Sequence, residues 1–301
     1  MYEHEEGLGQ GTGERKALPG ENEMSGIAVC GVCFRHCRIP EGMKGFCGVR
    51  KNTKGLIKPV SYGIVTGLAL DPIEKKPLRR FCPGSRILSV GSFGCNLKCP
   101  FCQNHEISQS GEEIIQRSER MMPDELVEMA LSATGKGNVG IAFTYNEPLI
   151  CYEYVRDAAK LAHEKGLKTV IVTNGSVSLS VLEEVLPFTD AMNIDLKGFT
   201  QEAYRALSGD LTQTKEFIMR AAQDCHVELT SLIVPTMNDS PEEMDKEAAW
   251  IAGISPDIPL HITRYFPMYR MTSEPPTDIA LLYRLRDIAS NCLHHVYVGN
   301  V

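Results

Sequence analysis

The chain has 301 residues, 43% of them hydrophobic and 23% charged, and a formal net charge of −7. That length buries a full core and supports one large domain beside a small one. The acidic balance and the lack of a basic stripe argue against a nucleic-acid partner, and no apolar run approaches the roughly 18 residues that a bilayer span needs.

In chain order, Met1 to about residue 25 is rich in Gly and Glu, lacks the apolar stretch of a signal peptide and reads as a mobile tail. Eleven cysteines without an export signal point to a reducing, cytoplasmic compartment. Residues 26–85 form a small Cys-rich and Gly-rich module. Cys30, Cys33, Cys37 and Cys47, spaced x2, x3 and x9, supply a complete tetrahedral set for a structural Zn2+ that would staple such a module. An auxiliary iron–sulfur cluster takes the same ligands, and spacing does not separate the two. His36 is an alternative donor to one of the four. The segment Asp71–Arg80 is locally basic and reads as a solvated face.

From residue 86 to 301, short apolar runs alternate with amphipathic helical patterns, the signature of βα units and a parallel sheet. The expected strands are 86–90, 138–143, 168–172, 190–196, 227–234 and 260–264, with 295–298 as an edge strand. Pro123 followed by Asp124 and Glu125 opens a helix, Gly166 closes another that begins at Tyr152, and Ser240-Pro241 starts a third. Six repeats are too few for a closed eight-stranded barrel. The fold class is α/β, a partial, open, TIM-like (β/α)6 barrel behind the small N-terminal Cys-rich module.

In βα barrels the chemistry collects where strands end, and every unusual local sequence falls there. The first strand is followed by Cys95, Cys99 and Cys102. The next strands end in Tyr145-Asn146-Glu147-Pro148, Thr173-Asn174-Gly175 and Asp195-Leu196-Lys197, and the sixth carries His261 and Arg264. Three thiolates spaced x3 and x2 hold three irons of a cubane and leave the fourth open, whereas clusters are normally closed by four cysteines. A structural zinc loop is the rival reading of the trio. Asp195 and Lys197 share one face by strand alternation, so inside a barrel they must be paired or functional. Cys82, Cys151, Cys225 and Cys292 show no ligand spacing and read as small buried hydrophobes.

The run Cys95-x3-Cys99-x2-Cys102, with Phe101 before the third cysteine, resembles the signature of the radical S-adenosylmethionine (radical SAM) superfamily. From about residue 26 onward the chain is similar to the activating enzymes of glycyl radical enzymes, such as pyruvate formate-lyase activase. More narrowly, it resembles the radical SAM proteins of the AmmeMemoRadiSam system. That likeness rests on Gly45–Arg50, Asp71–Pro77, Pro83–Ser85, Cys95–Asn104, Tyr145–Pro148 and Tyr297–Val301.

The resemblance implies a [4Fe–4S] cluster on Cys95, Cys99 and Cys102 and S-adenosylmethionine on its open iron. Reductive cleavage would then give a 5′-deoxyadenosyl radical that takes hydrogen from a substrate. It implies that Glu147 grips the methionine ammonium and that Thr173 and Asn174 approach the ribose or carboxylate. Asp195 would order the cofactor or bind a monovalent cation, and Lys197 would reach the carboxylate. Relatives carry Gly-Gly-Glu-Pro where this chain has Asn146-Glu147-Pro148, which leaves Asn146, a cofactor-site candidate, without a settled role. His261 and Arg264 are expected where adenosyl group and substrate meet, as catalytic candidates with Lys197. The implied partners are an electron donor such as flavodoxin or ferredoxin, a protein substrate bearing a glycine, and Memo-like and AMMECR1-like proteins. Modification of a small molecule or another macromolecule, and a zinc-stabilised scaffold without catalysis, stay open as rivals.

Overall fold

A computed structural model describes residues 26–301, besides Met1; the expected N-terminal tail lies outside the described residues. One eight-stranded sheet dominates: β1 (Gly67–Pro72), β2 (Arg86–Gly91), β3 (Asn138–Phe143), β4 (Lys168–Thr173), β5 (Ala191–Asp195), β6 (His226–Ile233), β7 (Leu260–Arg264) and β8 (Val296–Gly299). They lie in sequence order across the sheet, β8 at one margin and β1 at the other. β2 to β8 run parallel, and β1 pairs antiparallel with β2, Ala69 opposite Ser89.

Helices α1 (Pro123–Ser132), α2 (Tyr152–Glu164), α3 (Leu179–Val185), α4 (Leu211–Ala221), α5 (Pro241–Ile254) and α6 (Ile279–Ala289) cover the outer face. Their ends follow local chemistry. Asp210, Ser240 and Asp278 cap α4, α5 and α6 by accepting a backbone N–H three residues on. Gly166 closes α2 with φ +73°.

Alternation along each strand separates two cores. On β5, Met192 and Ile194 face the helices, among Val181, Leu182 and Ile218. Ala191 faces inward, with Ile87, Ala142 and Val170. Where β3 meets β4, a Cβ on Gly140 would lie 1.8 Å from the Lys168 carbonyl oxygen. The strand backbones therefore close only on glycine. Gly140→Ala is expected to lower stability by about 3 kcal/mol or more, as forced overpacking of a core does, read from the denaturant midpoint at unchanged slope.

The structure differs from the sequence reading at Asp71–Arg80. Lys75, Arg79 and Arg80 are exposed, as a solvated face would have them, but Ile73, Lys76 and Leu78 are not. The segment leaves β1 and fills the floor of the barrel, with Ile73 and Leu78 fully buried beside Ile87, Ala142 and Val170. Asn193 donates to the Pro77 carbonyl at 2.9 Å. The backbone N–H groups of Arg79 and Arg80 donate to the Glu228 carboxylate at 3.0 and 2.7 Å. Lys76 is only 2% exposed and bonds Asp71 at 2.9 Å. Lys76 and the backbone amides can turn inward because they find fixed partners there. The segment ends near β8, where the Arg79 guanidinium lies 5.6 Å from the Tyr297 ring centroid. β1 itself, drawn from within the Cys-rich stretch, is thus part of the barrel sheet.

The rest of the N-terminal module consists of short antiparallel pairs, 28–29 with 38–39 and 50–53 with 56–59. Among the described residues no helix is long and apolar enough to cross a membrane.

Candidate active site

The loop after β2 carries Cys95, Cys99 and Cys102 on the C-terminal rim of the barrel. Asn96, fully buried, anchors it by donating to the Ser176 carbonyl at 2.9 Å and accepting from the Asn174 amide at 2.9 Å. Lys98 N–H donates to the Leu207 carbonyl. Cys99 packs with Leu97, Phe101, Leu207, Val234 and Tyr265. All three thiols are free. Cys95 Sγ receives the Leu97 N–H at 3.4 Å and the Asn174 amide at 3.6 Å, and Cys102 Sγ lies 3.1 Å from Ser108 Oγ.

Glu147 sits beneath this loop, 2% exposed. Its carboxylate accepts from Thr173 Oγ1 at 2.8 Å, Asn174 N–H at 2.8 Å and Leu149 N–H at 3.1 Å. Burial pushes its pKa up to about 7, against the pull of those three donors. Thr173 and Asn174 thus spend their polar groups on Glu147 and on the cysteine loop. Gly175 turns there with φ +63°, as its place in the Thr-Asn-Gly loop suggests. Asn146 has a clear role: its side chain accepts from Ser92 N–H at 3.0 Å and donates to the Phe93 and Gly94 carbonyls at 3.1 and 3.2 Å. It staples the end of β3 to the root of the cysteine loop.

Asp195 ends β5, and Lys197 Nζ bonds its Oδ2 at 2.9 Å. Burial works against the Lys197 charge, but Asp195 and the nearby thiolates of Cys99 and Cys102 overcome it and raise the pKa. Burial pushes the Cys99 thiol up to about 11, with the Lys197 charge opposing. A cation is therefore held beside two of the three sulfurs. Asp195 thus engages Lys197 through one carboxylate oxygen.

His261 is not at the rim. It is the second residue of β7, and its Nε2 lies 2.6 Å from the Glu228 carboxylate, its ring against Tyr297. Buried between Glu228 and Tyr297, it helps hold the barrel floor, which explains why strand-end reasoning misplaced it. Arg264 does end β7. It donates to the Thr277 carbonyl at 2.8 Å and borders a cleft of about 580 Å³ with Asp239 and Pro275.

A polar group that the sequence did not single out as a site lies on the inner wall. Tyr145 adopts φ +75°, and a Cβ on Gly91 would lie 2.7 Å from its ring. Its hydroxyl donates to Asp71 at 2.9 Å, as do Ser89 and Lys76. Burial opposes the Asp71 charge, yet these three donors hold its pKa at about 2. The signal was present in Asp71–Pro77 and Tyr145, quoted above as marks of resemblance without a task. Of the unassigned cysteines, Cys151 is buried as expected, whereas Cys82, Cys225 and Cys292 are partly exposed.

Among the described residues no three His, Cys, Asp or Glu side chains converge at the spacing of one bound ion. Free thiols that receive N–H and O–H groups, with a lysine ammonium beside them, fit thiolate ligation of an iron–sulfur cluster.

The family model of the radical SAM superfamily matches residues 89–250, the stretch from β2 through most of α5. The chain belongs to the radical SAM superfamily. It is 39% identical over 277 residues to an uncharacterized protein of Methanocaldococcus jannaschii, covering 90% of this chain and 81% of that one. It is 26% identical over 215 residues to the pyruvate formate-lyase-activating enzyme of Clostridium pasteurianum, covering 68% and 84%. In fold it is similar to QueE from Escherichia coli, with TM-score 0.50 at 11% identity over 78% of this chain and 93% of that one. It is also similar to S-adenosylmethionine-bound SuiB of Streptococcus suis, with TM-score 0.55 at 15% identity, 71% of this chain and 51% of that one. As a radical SAM enzyme it uses a [4Fe–4S] cluster and S-adenosylmethionine.

Proposed function

We propose that this protein is an activating-enzyme-type radical SAM enzyme that abstracts hydrogen from a glycine of a partner protein. The observation that carries the reading is the joint placement of Cys95, Cys99 and Cys102 with Lys197 beside two of their sulfurs and the Glu147–Asn174 bracket beneath the third. Reduced cluster and S-adenosylmethionine together supply a 5′-deoxyadenosyl radical; the chain's own residues bind, orient and exclude water. Lys197 is the group suited to the methionine carboxylate, since its charge is held in a partly buried place. Glu147 fixes the Thr173–Asn174 loop, and its remaining acceptor capacity suits the methionine ammonium. Arg264 stands over the cleft by which a polypeptide loop reaches the rim.

The substrate class draws support from the relatives named as activating enzymes, those of pyruvate formate-lyase and of (2S)-3-sulfopropanediol dehydratase. A low-potential electron donor of the flavodoxin or ferredoxin kind belongs to this reading. So do the Memo-like and AMMECR1-like partners that the narrower resemblance implies, and a reducing, cytoplasmic setting.

Anaerobically reconstituted protein, reduced in the presence of S-adenosylmethionine, is expected to form 5′-deoxyadenosine. With proteins from cells grown on α-dideuterated glycine, that product is expected to carry deuterium. An intact cluster that yields no 5′-deoxyadenosine overturns the radical chemistry. Turnover supported only by the small-molecule fraction, with no deuterium transfer, overturns the protein-glycine substrate.

A further inference from the structure

We infer that Cys30, Cys33, Cys37 and Cys47 hold a second iron–sulfur cluster, and that this cluster hands electrons to the one on Cys95, Cys99 and Cys102. The inference rests on the radical SAM reading of the trio but concerns a separate site.

The four thiols are free, and Cys30, Cys33 and Cys47 are buried. The hairpin 28–39 brings the first three together: Cys30 N–H donates to the Cys37 carbonyl at 2.9 Å, and His36 N–H to the Cys33 carbonyl at 3.2 Å. Cys47 follows on a tight turn, Gly48 N–H to the Gly45 carbonyl at 3.0 Å. Cys33 lies within charge range of Cys47, Cys30 and Cys37, and backbone N–H groups of Arg35, Val49 and Arg50 are directed at the thiols of Cys33 and Cys47. His36 is exposed, so the buried set is the cysteines.

What favours a cluster over zinc is placement. The quartet is built against the trio's own loop. A Cβ on Gly94, the residue before Cys95, would lie 2.8 Å from the Cys47 carbonyl oxygen and 2.5 Å from Val49 Cγ2. Summing standard bond lengths through that contact places the Cα atoms of Cys47 and Cys95 within about 11 Å of each other. Cys33 bridges to Val177, and Ser178 N–H donates to the Val32 carbonyl at 2.9 Å. Arg35 Nε donates to the Asn96 carbonyl at 3.2 Å, and its guanidinium lies 3.6 Å from the Phe46 ring centroid. Lys98, on the trio loop, lies within charge range of both Cys95 and Cys47 and 5.1 Å from the same ring. A zinc staple would stabilise the module wherever it stood; a redox group gains a function from standing here.

The step moves one electron and no atoms. A low-potential one-electron donor reduces the quartet cluster, which returns to its oxidised state as the trio cluster becomes reduced.

In the reconstituted full chain, a Cys95→Ala/Cys99→Ala/Cys102→Ala variant is expected to keep about four irons and four sulfides. After reduction with dithionite it is expected to show the electron paramagnetic resonance signal of a [4Fe–4S]+ cluster. Zinc without iron in that variant overturns the inference, and it does so without reference to S-adenosylmethionine cleavage. In Cys33→Ala/Cys47→Ala, the ratio of 5′-deoxyadenosine formed with reduced flavodoxin to that formed with dithionite is expected to fall at least tenfold. An unchanged ratio overturns the electron-transfer role. If that variant does not fold, a redox titration of the unaltered holoprotein decides. Two one-electron waves support the proposal, and a single wave with four irons per chain overturns it.

Discussion

Cys99→Ala is expected to bring 5′-deoxyadenosine formation to background while leaving the fold in place. On the ligation proposed above, three protein thiolates hold the cluster instead of the usual four, so removing one leaves two. Cys99 is the central cysteine of the loop and the most enclosed, packed against Leu97, Phe101, Leu207, Val234 and Tyr265. Losing its sulfur there costs about 1 kcal/mol as a small cavity, far below what would unfold a 301-residue chain. The loop's anchors, Asn96 to Ser176 and Lys98 to Leu207, do not involve the sulfur. Activity and stability are therefore separable: iron content and turnover collapse, while the far-ultraviolet circular dichroism and the melting profile of the apo chain stay close to those of the unaltered protein. Turnover above a tenth of the original would refute the assignment of Cys99 as a ligand.

Glu228→Ala is the stability counterpart, with an expected loss of about 3–5 kcal/mol, the range for removing one partner from a buried ionic network. Glu228 is fully buried and accepts from Arg79 N–H and Arg80 N–H, with His226 and His261 at 3.0 and 2.6 Å. Alanine strands all four partners and frees the barrel floor. Burial opposes the Glu228 charge, but the two histidines and two amides hold its pKa at about 2. A depressed carboxyl contributes stability that is complete above its unfolded value of about 4.5 and is lost as pH falls through 2. Urea midpoints measured across that window should therefore fall for the unaltered chain, while Glu228→Gln, which cannot titrate, should lack this part of the acid limb. A Glu228→Ala loss below 1 kcal/mol at pH 7 would show that the floor does not depend on this carboxylate.

The seven parallel strands were legible because each is a short apolar run with its own turn, and their observed bounds match the expected ones to within one or two residues. The rim residues were legible for the same reason, since strand ends fix where side chains collect. What sequence could not show is pairing across distance. Lys76 reads as a surface lysine until Asp71 and, 69 residues on, Tyr145 are seen beside it. His261 reads as a rim residue until Glu228 is found on the neighbouring strand. Glu147 was read as a ligand-binding carboxylate, and its geometry adds a second task, tying two loops of the rim together. In each case a local pattern gave the residue's address, and a partner far along the chain decided its work.

The contact between Arg79 and Tyr297 has a mechanical meaning. β1 and β8 are the two margins of the sheet, and the floor segment reaches from one to the other through that stacked side chain. Losing that clip alone costs about 1 kcal/mol, the worth of an exposed cation–ring contact, because the bonds of Arg79 and Arg80 to Glu228 stay whole. The seam is therefore closed twice, once by a side chain at the margin and once by backbone groups on an inner strand.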